Sequence, residues 1–140
     1  MLRRLALTAA ASAAALSAVP ATAHAGSPLT PPTDRLTVTV ADSGGPSDGT
    51  YVLNCHPTGG THPDAADACA RLDDVTVYGK DPFAPVPRDA MCTMQYGGPA
   101  TAHIKGTWQG RPVDATYDRS NGCEIGRWNG LVPVLPATSP

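Results

Sequence analysis

Arg35-Leu36-Thr37-Val38-Thr39-Val40-Ala41 alternates apolar and polar side chains, with Leu36, Val38 and Val40 on one side and the threonines on the other. This period-two pattern is typical of a β-strand that buries one face. A loop rich in Ser, Gly and Asp follows over residues 42–49, and a second strand is predicted over residues 50–55. The segment therefore predicts two neighbouring strands of one sheet.

After the second strand the apolar spacing becomes that of a helix. Ala65, Cys69 and Leu72 fall at i, i+4 and i+7, and Pro63 suits the first helical position. These residues predict a short helix with Cys69 on its inward face. Residues 75–78 are then expected to be extended, and the prolines that follow predict an irregular surface loop up to about residue 88.

The second half of the chain contains further strand patterns. Strands are predicted over residues 101–104, 107–109 and 111–117, with Gly106 and Gly110 between them, and over residues 131–135 at a sheet edge because of Pro133. Trp108 is expected in the core. With one clear helix and short links between strands, the sequence predicts an α+β fold in which a helix covers one face of an antiparallel sheet.

The first 25 residues have the pattern of a secretory signal peptide. Arg3 and Arg4 precede an apolar run over residues 5–19, and Ala23-His24-Ala25 resembles a cleavage site. The run of about fifteen residues is short for a membrane span, which takes about twenty. We therefore expect a secreted, extracellular protein without a membrane anchor, with a mobile arm over residues 26–34 and one domain over residues 35–140.

The charge balance argues against a nucleic-acid partner. The chain has 10 basic and 12 acidic residues, and two of the basic ones, Arg3 and Arg4, lie in the predicted signal peptide. The remaining 8 basic and 12 acidic residues give a net charge of −4. Phosphate binding requires a positive surface, which this composition does not supply.

Four cysteines, Cys55, Cys69, Cys92 and Cys123, predict two disulfides in a small secreted chain. The sequence alone permits three pairings. There is no C-x-x-C pair and the spacing does not fit a zinc site, so no metal or other cofactor is predicted. A hydrolase would have to use His56, His62 or His103, but no catalytic motif surrounds them. Each is expected at the surface, with His62 at the start of the helix, and the protein is predicted not to be an enzyme.

Four sequence blocks together resemble the Streptomyces-type subtilisin inhibitor family. The resemblance extends from about residue 36 to residue 124, and its blocks are Gly59-Gly60-Thr61-His62-Pro63 before Ala68-Cys69-Ala70, Cys92-Thr93-Met94-Gln95-Tyr96, Gly106-Thr107-Trp108-Gln109-Gly110 and Ser120-Asn121-Gly122-Cys123-Glu124. It implies about five strands with one or two short helices and homodimers that form through the sheets. It also implies disulfides between Cys55 and Cys69 and between Cys92 and Cys123.

The same resemblance implies a secreted inhibitor of subtilisin-like serine proteases, with chymotrypsin-like serine proteases as a further class of target. Met94 and Gln95 would flank the scissile bond, Asn121 would support the loop, and the flanking protease contacts would be Met91, Cys92, Thr93 and Tyr96. The physical argument agrees, because a side chain that fills a specificity pocket must be exposed on a segment tethered beside it. Cys92 would provide that tether.

Two departures from the family pattern leave an alternative open. Thr93 stands where the family commonly has proline, and Gly97-Gly98 replaces a more restricted sequence, so a looser loop is expected. The alternative is an extracellular binding module of the same fold with weak or no inhibition. A further alternative is that Met91 and Met94 are core residues, although the stretch between Arg88-Asp89 and Gly97-Gly98 is typical of a projecting loop.

Overall fold

The computed structural model describes residues 33–138 and contains a five-stranded antiparallel sheet with two helices. The strands are β1 (Asp34–Ala41), β2 (Gly49–Cys55), β3 (Gly59–Gly60), β4 (Thr101–Trp108) and β5 (Arg111–Tyr117), and the helices are α1 (Ala65–Val75) and α2 (Gly122–Asn129). The strand order is β3-β2-β1-β4-β5, so β1 lies at the centre. The predicted α+β class is confirmed.

The core lies on one face of the sheet. Leu36, Val38 and Val40 of β1 are buried, as the alternation predicts, and together with α1 and the chain after α2 they form one apolar cluster. Burial of apolar surface contributes roughly 25 cal/mol per Å², which makes this cluster a main source of stability. α1 contacts β2 and β3 at one side of the sheet, and α2 contacts β5 at the other. No helix in residues 33–138 is long and apolar enough to cross a membrane.

Both disulfides have the pairing that the family resemblance implies. Cys55 at the end of β2 is bonded to Cys69 on the buried face of α1, and Cys92 is bonded to Cys123 in the first turn of α2. The first bridge fixes α1 to the sheet. The second fixes the long segment before β4 to α2.

Gly106 does not interrupt its strand. The two strands predicted over residues 101–104 and 107–109 are one continuous strand, β4, which ends at Trp108. Gly106 has a φ of 147°, and a Cβ atom at this position would overlap the Arg35 carbonyl of β1. The glycine therefore permits close approach of two paired strands, and the turn begins only at Gln109 and Gly110, which both have positive φ.

Two other segment predictions are wrong, and periodicity did not reveal one helix. Val75 is the last residue of α1, and residues 76–78 form no strand. Residues 131–135, predicted as an edge strand, form turns after α2, where Leu131, Val134 and Leu135 are buried. α2 itself was not apparent from residue periodicity, because only Trp128 of its residues is buried. A helix with one deeply buried side chain has little apolar stripe to detect.

The N-terminal predictions lie largely outside the described residues. This holds for the signal peptide at 1–25 and for residues 26–32 of the predicted arm. The predicted arm ends at Asp34, but Asp34 opens β1 and is only 5% exposed. Its carboxylate accepts a hydrogen bond from the Gln109 N–H at 2.6 Å, so this residue fastens the strand to the β4–β5 turn.

Candidate functional site

The longest irregular segment of the described chain, residues 76–100, connects α1 to β4. Residues 91–96 in this segment, hereafter the Met94 loop, carry three exposed large apolar side chains. Met91 is 98% exposed, Met94 97% and Tyr96 67%. These exposures exclude the core role considered for the two methionines. An uncovered cluster of large apolar side chains is typical of a surface that binds another molecule.

The first half of the Met94 loop is fixed to the start of α2. Besides the Cys92–Cys123 disulfide, the Gly122 N–H donates a hydrogen bond to the Thr93 carbonyl at 3.0 Å. A Cβ atom on Gly122 would overlap the Thr93 hydroxyl, so the loop lies directly against the helix backbone. The two residues before Met94 are therefore both held, Cys92 by the covalent bridge and Thr93 by a backbone hydrogen bond.

Asn121 supports this arrangement through the helix. Its backbone is extended, and its side-chain Oδ1 accepts a hydrogen bond from the Glu124 N–H at 3.0 Å, which is the N-cap interaction that satisfies a free helical N–H group. Among the described residues this is the hydrogen bond that its side chain makes. Asn121 thus orders the first turn of α2, from which Cys123 reaches the loop.

A second attachment lies after the Met94 loop, at Gly97. Its N–H donates to the Arg119 carbonyl at 2.7 Å, and its own carbonyl accepts from Arg119 Nε at 2.9 Å. Arg119 is only 3% exposed, its Nη1 donates to Asn129 Oδ1 at 2.9 Å, and its guanidinium lies 5.8 Å from the centre of the Trp128 ring. Gly97-Gly98 therefore does not loosen the loop at Gly97, where a Cβ atom would approach Ile125 to 2.8 Å.

A third attachment holds the proline-rich stretch that leads into the loop. The Tyr117 hydroxyl donates to the Pro82 carbonyl at 2.9 Å, and Arg127 donates to the Ala84 and Thr116 carbonyls at 2.8 and 2.7 Å. The Arg127 guanidinium lies 3.9 Å from the centre of the Tyr117 ring. Burial raises the pKa of Tyr117 to about 12, so its hydroxyl remains a hydrogen-bond donor across the physiological pH range.

The backbone between the first attachment, at Cys92 and Thr93, and the second, at Gly97, is free to pair with another chain. Within residues 33–138, the N–H and C=O groups of Met94, Gln95 and Tyr96 make no backbone hydrogen bond. Such groups can bond to a partner that adds an extended strand. The arrangement is an exposed peptide segment with an apolar side chain at its centre, and it is restrained on both sides.

The histidines serve structure rather than nucleophilic chemistry. His56 lies between two carboxylates, with Nδ1 2.7 Å from Asp34 and Nε2 3.1 Å from Asp73. The hydrogen bond with Asp34, and after it the one with Asp73, raises the pKa of His56. His103 pairs with Asp114 across β4 and β5 at 2.6 Å.

The prediction that His62 lies at the surface is wrong. It is 8% exposed, its Nδ1 accepts from the Asp64 N–H at 3.1 Å, and its Nε2 lies 2.9 Å from the Val134 carbonyl. It does serve the start of α1, and it also joins that start to the chain after α2. In residues 33–138 no group of three or more His, Cys, Asp or Glu side chains could hold a metal ion.

Arg119, Tyr117 and Arg127 were missed by the sequence reasoning. Tyr117 carried a signal, since it closes the inward face of an alternating strand and a buried tyrosine hydroxyl requires a partner. The arginines carried none, because an arginine near either end of a helix ordinarily lies in solvent, and Arg119 precedes α2 while Arg127 is in its last turn.

Comparison with known proteins identifies related sequences. The sequence model of the subtilisin inhibitor-like family matches residues 30–121. The "Subtilase-type protease inhibitor" of Streptomyces fradiae is 36% identical over 128 residues, which cover 87% of this chain and 88% of that protein. "Subtilisin inhibitor-like protein 1" of Streptomyces cacaoi is 37% identical over 90 residues, 61% of this chain and 77% of that protein.

A solved structure is also similar. It is Streptomyces caespitosus sermetstatin in complex with Bacillus licheniformis subtilisin, 27% identical, with a TM-score of 0.40 and coverage of 71% of this chain and 94% of that one. The family assignment rests on the sequence matches. The two sequence relatives are named as inhibitors or inhibitor-like proteins, which confirms the prediction that the chain is not an enzyme.

Proposed function

The chain belongs to the subtilisin inhibitor-like family, and on that premise we propose that it inhibits subtilisin-like serine proteases through the Met94 loop. The proposed reactive bond joins Met94 to Gln95. Met91, Cys92, Thr93 and Tyr96 are the flanking residues that contact the protease. The relatives named as inhibitors of subtilase-type proteases support this class of target.

One observation carries the proposal. Met94 is 97% exposed at the centre of a segment whose two flanks are fixed, at Cys92 and Thr93 on one side and at Gly97 on the other. A protease requires an accessible side chain for its specificity pocket and free backbone groups around the scissile bond. A flexible loop would offer both and be cut and released, whereas this loop is restrained.

The restraint gives the inhibitory mechanism. A loop already held in one conformation loses little entropy on docking, so a standard-sized interface can bind tightly. The protease serine attacks the Met94 carbonyl carbon as it attacks a substrate. Because both flanks stay attached to the body of the inhibitor, the new chain ends remain close and the bond can re-form. The protease thus remains occupied instead of turning over.

Titration of purified protein against subtilisin, with chymotrypsin and trypsin in parallel, tests this function. Loss of subtilisin activity in proportion to added inhibitor, with an end point at one reactive loop per protease molecule, is the expected result. Mass spectrometry of the complex should recover cleavage only at Met94–Gln95. Steady turnover of the protein as a substrate, or no effect on the three proteases, would instead favour the binding module of the same fold.

We further propose that the protein is secreted and acts as a homodimer. Export rests on the signal-peptide pattern of residues 1–25. Dimerisation is supported by the outward face of the sheet, which α1 and α2 leave exposed and which carries the Thr39–Thr50 hydrogen bond at 3.1 Å and the His103–Asp114 pair. Light scattering after size-exclusion chromatography should give twice the mass of one chain. Lys105→Glu changes the charge of that face, so it should lower the measured mass toward that of the monomer.

A further inference from the structure

The two sides of the proposed reactive bond are held by different kinds of attachment. On the acyl side, Cys92 lies two residues before Met94 and is bonded covalently to α2. On the amine side, Gly97 lies two residues after Gln95, and its restraints are the two hydrogen bonds to Arg119. If the Met94–Gln95 bond is cut, the disulfide cannot hold the new amine in place. That restraint must come from Gly97.

We propose that Arg119 is the positioning residue that keeps the amine side of the cut bond in place so that the bond re-forms. The inference rests on the proposed function. In the forward step the protease serine gives its hydroxyl proton to the protease histidine and bonds to the Met94 carbonyl carbon, the bond to Gln95 breaks, and the Gln95 amine takes that proton from the histidine. In the reverse step that amine attacks the ester carbon and returns its proton to the histidine, which passes the proton to the serine oxygen as the serine leaves. The reverse step requires the amine to stay beside the ester.

The geometry of Arg119 suits this role because its side chain cannot readily turn away. It is 3% exposed, Asn129 Oδ1 accepts from its Nη1 at 2.9 Å, and the Trp128 ring lies beneath the guanidinium. Nε is thereby directed at the Gly97 carbonyl at 2.9 Å. A hydrogen bond from a charged donor to a buried carbonyl is among the stronger ones in proteins.

The expected consequence concerns the equilibrium between intact and cut inhibitor, the cut form being released when water replaces the serine on the Met94 carbonyl carbon and leaves a carboxylate. In the intact loop residues 95–97 are restrained from both ends, so losing the Arg119 side chain changes their freedom little. In the cut form the side chain is a main restraint on the amine stub, and without it the stub gains conformational entropy. Loss of Arg119 therefore stabilises the cut form relative to the intact one.

The test uses Arg119→Met with Arg71→Met as its matched control. Arg71 Nε donates to the Gly130 carbonyl at the end of α2 at 2.8 Å, so the control removes a similar arginine–carbonyl bond near the same helix and away from the loop. Intact and pre-cut samples of each protein are incubated with catalytic subtilisin until both reach the same ratio. Reversed-phase chromatography after reduction of the disulfides measures that ratio.

We expect Arg119→Met to move the ratio about tenfold toward the cut form, the factor for one charged hydrogen bond, while Arg71→Met stays within about twofold of the wild type. An Arg119→Met ratio equal to that of the wild type overturns the inference. If this variant does not fold, Asn129→Ala decides. Asn129 is exposed and its side chain fixes the guanidinium, so a shift in the same direction supports the role and an unchanged ratio overturns it.

Failure of the proposed function can be told apart from failure of the Arg119 role, because the wild-type protein alone tests the function. A wild type that does not inhibit subtilisin, or that is not cut between Met94 and Gln95, removes the function and the inference together. A wild type that reaches a stable ratio from both sides, with variants that match it, removes only the role of Arg119.

Discussion

Removal of the Cys92–Cys123 disulfide should convert the protein from an inhibitor into a substrate. The bridge closes a loop with a sequence separation of 31 residues, for which the chain-entropy relation gives about 3.7 kcal/mol of stabilisation at 25 °C. The Cys55–Cys69 bridge has a separation of 14 and gives about 3.0 kcal/mol. The two deletions should therefore cost similar stability, and only the first should release the Met94 loop.

The assay compares Cys92→Ser/Cys123→Ser with Cys55→Ala/Cys69→Ala. Alanine is used for the second pair because Cys55 and Cys69 are buried, at 1% and 4% exposure, and a serine hydroxyl there would lack a partner. At a temperature where both variants are folded, the time course of subtilisin inhibition should decay much faster for the first pair. If the Cys92→Ser/Cys123→Ser protein inhibits as durably as the wild type, the disulfide is not what restrains the loop.

Two other predictions concern Thr93 in the loop and His56 after β2. Thr93→Pro should slow cleavage of the Met94–Gln95 bond in a mass-spectrometric time course and add up to about 1 kcal/mol to the free energy of unfolding. Proline fits here because the Thr93 N–H makes no backbone hydrogen bond in residues 33–138. Faster cleavage would show that the threonine hydroxyl restrains the loop more than the proline ring does. Contacts with Asp34 and Asp73 raise the pKa of His56 from 6.5, so its stabilising effect is full below that value and is lost as pH rises through the raised value. The melting temperature of the wild type should therefore fall more between about pH 5 and pH 8 than the melting temperature of His56→Asn. Asparagine is chosen because it tolerates the positive φ at this position. An equal decrease of the melting temperature in both proteins would refute this role of His56.

The sheet was largely predictable, because its strands bury one face and expose the other. β1 and β5 alternate cleanly, and the buried residues of α1 include Cys69 and Leu72 of the predicted stripe. The errors arose where tertiary contact overrides a local signal. The sequence pattern predicts a break at Gly106, but the β1 backbone passes too close for a side chain there. Pro133 predicts an edge strand, but residues 131–135 instead form turns whose Leu131, Val134 and Leu135 are buried in the core.

The exposed part of the candidate site was also predictable, and its supports were not. Met91, Met94 and Tyr96 stand out because large apolar residues flank a cysteine in a segment bounded by glycine. Arg119 has no such signal, because its burial depends on Trp128 and Asn129, which only the fold of α2 brings to it. The expectation of a loose loop at Gly97 failed for the same reason, since the glycine is required by contact with Ile125 and Arg119.

Replacement of Met94 by lysine tests the proposed reactive bond most directly. Because Met94 is 97% exposed, Met94→Lys should change the free energy of unfolding by less than about 0.5 kcal/mol, measured by thermal melting. In the same protein, inhibition should move from subtilisin and chymotrypsin toward trypsin, whose acidic pocket can pair with the ammonium group while an apolar pocket must desolvate it. A trypsin inhibitor with unchanged melting is the predicted result. Subtilisin inhibition that survives at full strength without any gain toward trypsin would show that the protease pocket does not receive residue 94.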